Sequence, residues 1–273
     1  MLKKNKNENH ILFSKFGLNL NKEIDFDEPL LTKNSPLISD CEKDINFTKR
    51  NLIELFNKFW EIDKYKKIWD KDNLLIEINS EGSDINNTFS LIKISYKQKK
   101  TVFNDNANIQ ALIDIIYFPE LRLKWDKMLK NLEILDGNIE SNYVISSLAK
   151  SPNFLISERE SLEKKFIFKN KENTMYIISS SVPDNLFEMK KGVVRIFNYI
   201  NYYKIVDEGD YLGFYSLNQS DFKMPIPQFL INVTLPTTTK SWQMSLEKFA
   251  SEVKYNKETK CIIQNNNDEG EKK

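Results

Sequence analysis

The sequence predicts an α+β fold, a curved antiparallel β-sheet covered by a long C-terminal helix and enclosing an internal tunnel. Three observations lead there. At least five segments of strand character follow one another between 142 and 218 on short turns, and consecutive strands on short connections pair antiparallel. A sheet of that many strands twists strongly and must curl or be covered. The last long apolar-periodic segment, from about Pro227 to Val253, is the natural cover.

The elements follow in order. Residues 1–44 are polar, broken by Pro29 and Pro36, and read as a mostly disordered leader; the ordered domain is 45–256, and 257–273 is a polar tail. "FTKRNLIELFNKFWEI" sets Leu52, Leu55, Phe56, Phe59 and Trp60 on one helical face. "NLLIEINS" and "TFSLIKISYK" alternate like strands. "NANIQALIDIIYF" returns to helical spacing, and Pro119 opens a second short helix, as proline does at a first helical turn. The strand candidates are "NYVISSLA", "LEKKFIFKN", "TMYIISSSV", "GVVRIFNYINYYKIV" and "YLGFYSLN". The final helix is expected to break near Pro236, with Phe229, Leu230, Val233, Trp242, Leu246, Phe249 and Val253 as its buried face.

Composition narrows the function. Hydrophobic residues make up 40% of the 273, with 18 Phe, 11 Tyr and 4 Trp against 7 Gly, which favours an aromatic-rich core. A net charge of +1 offers no electrostatic case for nucleic acid. Two cysteines, Cys41 and Cys261, and one histidine, His10, make neither a zinc site nor a disulfide framework. With His10 in the leader, a histidine-based triad in the domain is excluded. No glycine-rich phosphate loop occurs. No metal, cofactor or enzymatic activity is expected, and no segment reads as a signal peptide or membrane span. The expectation is a cytoplasmic monomer.

Four segments, in order over about 46–255, resemble one family. "ELRLKWDKM" resembles an Arg–x–x–Trp–Asp segment, "SPNFLISERESLEKKFIF" a strand opening Ser–x–Arg–Asp–aromatic, "SSSVPDNLFEMKKGVVRI" a strand, omega loop and "GVVR" return, and "MPIPQFLIN" the start of a lid helix. The chain is similar to the START (StAR-related lipid-transfer) domains, and within them to the phosphatidylcholine-transfer branch. It departs from the pattern at Glu160, where Asp is usual, at Ser161, where an aromatic is usual, and near Ser147, where a tryptophan is expected. These departures bear on the ligand more than on the fold. The resemblance implies a helix-grip fold with one lipid held between sheet and helix, exchanged by movement of that helix and the omega loop.

Each candidate residue has a plainer reading beside the functional one. Arg122 and Asp126, four apart on a helix, read from spacing alone as an exposed ion pair; the resemblance implies instead that they sit inside and contact a zwitterionic headgroup. Arg159 at a strand head is a lipid contact by resemblance, or an ion pair with Glu160. Lys165 reads as a surface lysine. Trp125, Tyr143, Tyr176 and Tyr215 serve as core or cavity wall, and Tyr215 matches a headgroup-contacting tyrosine of the resembled branch. Phe229, Leu230 and Val233 would line the lid side of the tunnel. Phe187 and Met189, flanked by Lys190 and Lys191, form an expected gate loop. Arg195 matches a family position or is structural. The function implied is an intracellular carrier of one phospholipid, phosphatidylcholine or a relative, with transient membrane contact. The alternatives are a lipid-sensing adaptor, a sterol or ceramide binder, and a catalytic member of the wider superfamily.

Overall fold

The computed structural model describes residues 49–83, 86, 88–106, 109–138, 142–151, 157–170, 172–182, 187–256 and 261–264. The expected leader 1–44 lies outside the described residues, as do 257–260 and 265–273 of the tail. The elements are α1 (Lys49–Trp60), β1 (Lys66–Lys71), β2 (Leu74–Asn79), β3 (Leu91–Lys99), a 3-10 helix (Lys100–Asn106), α2 (Ile109–Tyr117), α3 (Pro119–Trp125), β4 (Leu129–Asn138), β5 (Asn142–Ala149), β6 (Arg159–Lys169), β7 (Met175–Ser181), β8 (Val194–Glu208), β9 (Tyr211–Asp221), α4 (Gln228–Glu252), β10 (Val253–Asn256) and β11 (Cys261–Gln264).

Nine strands form one sheet in the order β1-β2-β3-β9-β8-β7-β6-β5-β4. Neighbours in that order run antiparallel, and the head of β6 also meets β8 in a short parallel pairing. Turn chemistry sets two of the hairpins. Asp72 and Asn73 both take positive φ between β1 and β2, and Gly209 does so at the first turn position between β8 and β9; such tight turns match the twist of paired strands.

The two faces of the sheet carry separate cores. On the convex face, Leu52, Phe56 and Phe59 of α1 pack against Leu91, Phe168, Tyr176 and Tyr202. On the concave face, α2, α3 and the distal half of α4 pack on Ile76, Tyr96, Ile167, Ile177 and Ile205. Period-two alternation therefore separates two apolar faces in the middle strands, rather than an apolar from a polar one.

Two strands break the expected pattern. β1, "KKIWDK", is largely exposed, and charge on an edge strand blocks further pairing. β4 carries bulges between Leu129 and Asn131 and between Ile134 and Asp136, which disrupt the alternation that would have marked it. The tail also needs correction, because Cys261–Gln264 pairs with Val253–Asn256 as a hairpin beyond the expected boundary at 256. Helix α4 ends at Glu252, so Val253 starts a strand.

The expected break at Pro236 is absent: α4 runs through it. Proline removes the donor for the Asn232 carbonyl, and Asn232 is exposed, so water can take its place. The buried stripe of α4 also differs from expectation. Phe229, Leu230 and Val233 are 70%, 43% and 68% exposed. The inward stripe is Ile231, Leu235, Trp242, Leu246 and Phe249. The proximal turns are apolar on several sides, so spacing alone leaves the phase open until the helix meets the sheet.

A buried ion pair ties the β7–β8 loop to the sheet. Arg195 Nε and Nη2 donate to Glu160 Oε2 at 3.2 and 2.9 Å, and Nη1 and Nη2 donate to the carbonyls of Phe187 and Glu188 at 2.9 and 3.0 Å. Ser146 Oγ donates to the other Glu160 oxygen. Removing one member of such a set strands a buried charge. Arg195→Met is expected to cost about 3–5 kcal/mol in chemical denaturation; a loss below about 1 kcal/mol would mark the pair as dispensable. Native-state hydrogen exchange is expected to show amides 231–235 at least about tenfold less protected than 243–250, since the proximal turns carry the proline and little buried surface. Equal protection would refute a weak proximal lid.

Candidate functional site

The inward stripe of α4 does not seal the concave face along its whole length. Between its proximal half and strands β3, β8 and β9 lies a chamber of about 880 Å³. Its walls are mainly apolar, with Ile92, Ile94, Ile205, Phe214, Ile231 and Leu235 among them. Small-molecule sites span about 300–1,000 Å³, so this one suits a large apolar ligand. Residues 88–90 and the β9–α4 linker, 222–227, also border it.

Arg122 and Asp126 line this chamber. Helix α3 has Pro119 in its first turn, and the Asp126 N–H closes its end on the Arg122 carbonyl. Trp125 fixes the helix roll: it is buried, its indole N–H donates to the Ile115 carbonyl at 2.9 Å, and its ring meets Trp242 of α4 edge-on at 5.4 Å. Arg122 is thereby turned inward. Its Nε and Nη2 each lie 3.0 Å from Asp126 Oδ2, and Nη1 donates to the Ile116 carbonyl at 3.2 Å. Asp126 Oδ1 accepts the Met128 N–H. The side chains are only 21% and 3% exposed, which sets aside the exposed-pair reading. The guanidinium also lies 5.6 Å from the Trp125 ring and 6.0 Å from Trp242.

Behind Arg122 is a second chamber of about 150 Å³, sharing Arg122, Leu129 and Tyr203 with the first. Its wall is polar: Glu163, Lys165, Asn198, Asn201, Ser147 and Ser161 all border it. The Glu163 carboxylate is saturated. It accepts both asparagine amides, at 2.8 and 3.0 Å from Asn201 and by a shorter bond from Asn198, and the Ser179 hydroxyl at 3.2 Å. Lys165 is not the expected surface lysine, since it is 7% exposed. Its ammonium is 3.7 Å from Glu163 Oε2, beyond a hydrogen bond, and 5.3 Å from the Tyr117 ring centroid. Among the described residues, the buried Tyr143 hydroxyl has no hydrogen-bond partner. Burial raises the phenols of Tyr143 and Tyr203, the latter to about 12.

Tyr143, a wall candidate from the sequence, lines this chamber, whereas Glu163 and Lys165 escaped sequence reasoning because β6 is buried on both faces. Glu163, Lys165 and Ile167 share one side, Phe166 and Phe168 the other, and the apolar neighbours flank both. The usable signal was Ile167 continuing the face of the two charges.

Other candidates are placed elsewhere. Arg159 lines neither chamber; it donates to the Ser157 carbonyl at 2.6 Å and lies against Met224. Its expected partner Glu160 is held by Arg195. Trp125 backs the site without lining it. Tyr215 borders the large chamber, but its ring packs edge-on against Trp60 of α1 at 5.5 Å and its hydroxyl donates to Glu208. Strand alternation turns it to the convex side, opposite Phe214 and Ser216. Tyr176 is convex core. Phe187 packs near Val144, Leu162 and Val182, and neither it nor the exposed Met189 lines a chamber.

Burial outweighs the attraction of Glu163 and holds the Lys165 ammonium below the usual lysine range. A depressed lysine value means that the unfolded chain binds the proton more tightly. The charge then costs stability below the unfolded value, increasingly as pH falls toward the folded value. Lys165→Met keeps most of the stem volume and leaves Glu163 its amide and hydroxyl donors. It is expected to raise the melting temperature at neutral pH. A lower one would show that the ion pair with Glu163 outweighs desolvation.

No protein-family model and no curated protein matches the sequence. Solved structures do match the fold. Human StAR-related lipid transfer protein 5 is 16% identical at a TM-score of 0.60, over 74% of this chain and 93% of that one. Human STARD10 is 15% identical at 0.60, over 81% and 84%. A STAR-related lipid transfer protein from Xanthomonas axonopodis is 14% identical at 0.52, over 69% and 99%. The chain therefore has the helix-grip fold of the StAR-related lipid-transfer (START) domains.

Proposed function

We propose that this protein is a START-family lipid carrier that holds one phospholipid in the large chamber and moves it between membranes. The observation that carries this reading is an apolar chamber of about 880 Å³ with a buried Arg122–Asp126 pair at its inner end. Apolar walls favour acyl chains in proportion to the area they remove from water. A guanidinium at the end of such a chamber suits a phosphate oxygen through charge-assisted hydrogen bonds. The like fold of lipid-transfer proteins supports the same reading. Phosphatidylcholine or a related zwitterionic lipid is the headgroup that the sequence resemblance favours. Asp126, with both oxygens engaged, then serves to hold Arg122.

The exposed Phe229, Leu230 and Val233, with Phe222 at 40% and Met224 at 38% exposure, give the proximal lid and its linker an apolar outer side beside the chamber border. We assign transient membrane contact to that side, in place of the Phe187–Met189 loop. Among the described residues no helix is long and apolar enough to cross a membrane. The protein would act as a cytoplasmic monomer, by binding and not by catalysis.

Native mass spectrometry of the purified protein is expected to show one bound phospholipid. A sterol or ceramide in its place would overturn the phospholipid assignment, and no lipid at all, with none transferred between vesicles, would overturn the carrier. Arg122→Ala is expected to lower transfer of the lipid found by at least about tenfold, a factor equivalent to about 1.4 kcal/mol. Arg122→Leu with Asp126→Leu should melt higher than either single change, because it leaves no uncompensated buried charge, yet still transfer poorly. Normal transfer by a folded Arg122→Ala protein would remove Arg122 from the site.

A further inference from the structure

The small inner chamber has a chemical bias that the large one lacks. Its one carboxylate, Glu163, is well supplied with donors, while its cations are not fully engaged. Glu163 is saturated by Asn198, Asn201 and Ser179. Asp126 is held by Arg122 and the Met128 N–H. On the donor side, among the described residues, the Lys165 ammonium has an ion-pair contact at 3.7 Å and the Tyr117 ring but no hydrogen bond within range, and the buried Tyr143 hydroxyl has no partner. Arg122 donates two hydrogen bonds, from Nε and Nη1, and its Nη2 lies 3.0 Å from Asp126 Oδ2, which leaves N–H groups on Nη1 and Nη2 available to a ligand. Buried donors without acceptors are unfavourable when the chamber is empty, and a ligand rich in acceptors relieves all of them together.

We infer that the inner chamber seats the phosphate of an anionic phospholipid, bare or carrying a small uncharged hydroxylated substituent, between Arg122 and Lys165. This rests on the lipid-carrier reading and replaces the zwitterionic headgroup that the resemblance favours with an anionic one. Two cationic donors on one phosphate form charge-assisted bonds, and the Tyr143 hydroxyl supplies a third, neutral donor. Volume sets the limit: about 150 Å³ is roughly five water volumes, room for a phosphate with little attached. Ser147 and Ser161 add hydroxyls on the same wall.

A choline headgroup fits this wall poorly. Three tyrosines, Tyr117, Tyr143 and Tyr203, border the chamber and could in principle box a quaternary ammonium. Lys165 already sits over the Tyr117 ring at 5.3 Å, so a second cation there meets like charge. The two nearby carboxylates already balance other cations, Glu163 beside Lys165 and Asp126 beside Arg122. Anion selection at this wall is therefore a property of Lys165, while Arg122 serves any phosphate.

The test is transfer of acyl-labelled phosphatidic acid, phosphatidylglycerol and phosphatidylcholine with identical chains. Each is carried as a trace component in vesicles of one constant composition, so that surface charge is equal throughout. Wild type is expected to transfer the acidic lipids at least about tenfold faster than phosphatidylcholine. Lys165→Met should abolish that preference by slowing transfer of the acidic lipids toward the phosphatidylcholine rate, and Tyr143→Phe should reduce it in part. Thermal melts confirm that both variants fold. Equal wild-type rates for all three lipids would overturn the inference, as would an unchanged preference in Lys165→Met; either leaves the carrier reading standing. Absence of transfer for every lipid overturns the carrier reading itself. Binding of inorganic phosphate or glycerol phosphate as tightly as the lipid would overturn the lipid source and assign the chamber to a free anion.

Discussion

The mismatch between a curled sheet and the one long helix laid across it is the constraint on which the rest of this structure depends. Nine antiparallel strands cannot lie flat, so the sheet has a concave side that must be covered. A 25-residue helix cannot follow that curvature along its length. At its distal end Leu246, Phe249 and Ala250 are buried, and α2 and α3 fill the space beside them. At its proximal end no helix adds to the cover, and the gap is the large chamber. Cavity and core are thus two ends of one packing problem.

Charge compensation decides what the inner end of that gap can hold. Arg195–Glu160 is a closed set: every interaction runs within the protein, and it anchors a loop. Arg122–Asp126 is open on the cation side only, because the carboxylate is fully used. Lys165–Glu163 is more open still, with a saturated acid and an ammonium lacking a hydrogen bond. Buried pairs are weak evidence for stability, and the gradation from closed to open here parallels the passage from scaffold to chamber wall.

Particular elements show what could be read in advance. The seven segments from "NLLIEINS" to "YLGFYSLN" each became a strand, because β-branched and aromatic residues in alternation suit a pleated surface in nearly any context. The segment "FTKRNLIELFNKFWEI" became α1 because its face repeats at helical spacing over three turns. β1 and β4 were hidden, one by edge charge and the other by two bulges. The resemblance at "LRLKWDKM" put Arg122 and Asp126 inside, which their spacing alone does not. Phe229, Leu230, Val233, Arg159 and Trp125 were expected at the ligand and line neither chamber described, Tyr215 borders the large one from a strand position whose ring packs on the convex side, and the expected gate residues Phe187 and Met189 line neither.

The sequence by itself determined the order and kind of most elements, since propensity, period and turn chemistry act over a few neighbouring residues. Tertiary structure alone decided the phase of α4, the side of the sheet to which Tyr215 belongs, and the burial of Lys165. For α4 and β9 the choice is between two apolar faces of one segment; for β6 it is whether a face carrying Glu163 and Lys165 meets solvent or another part of the chain. Local pattern cannot make either choice; the partner that each face meets, far away in the chain, makes it.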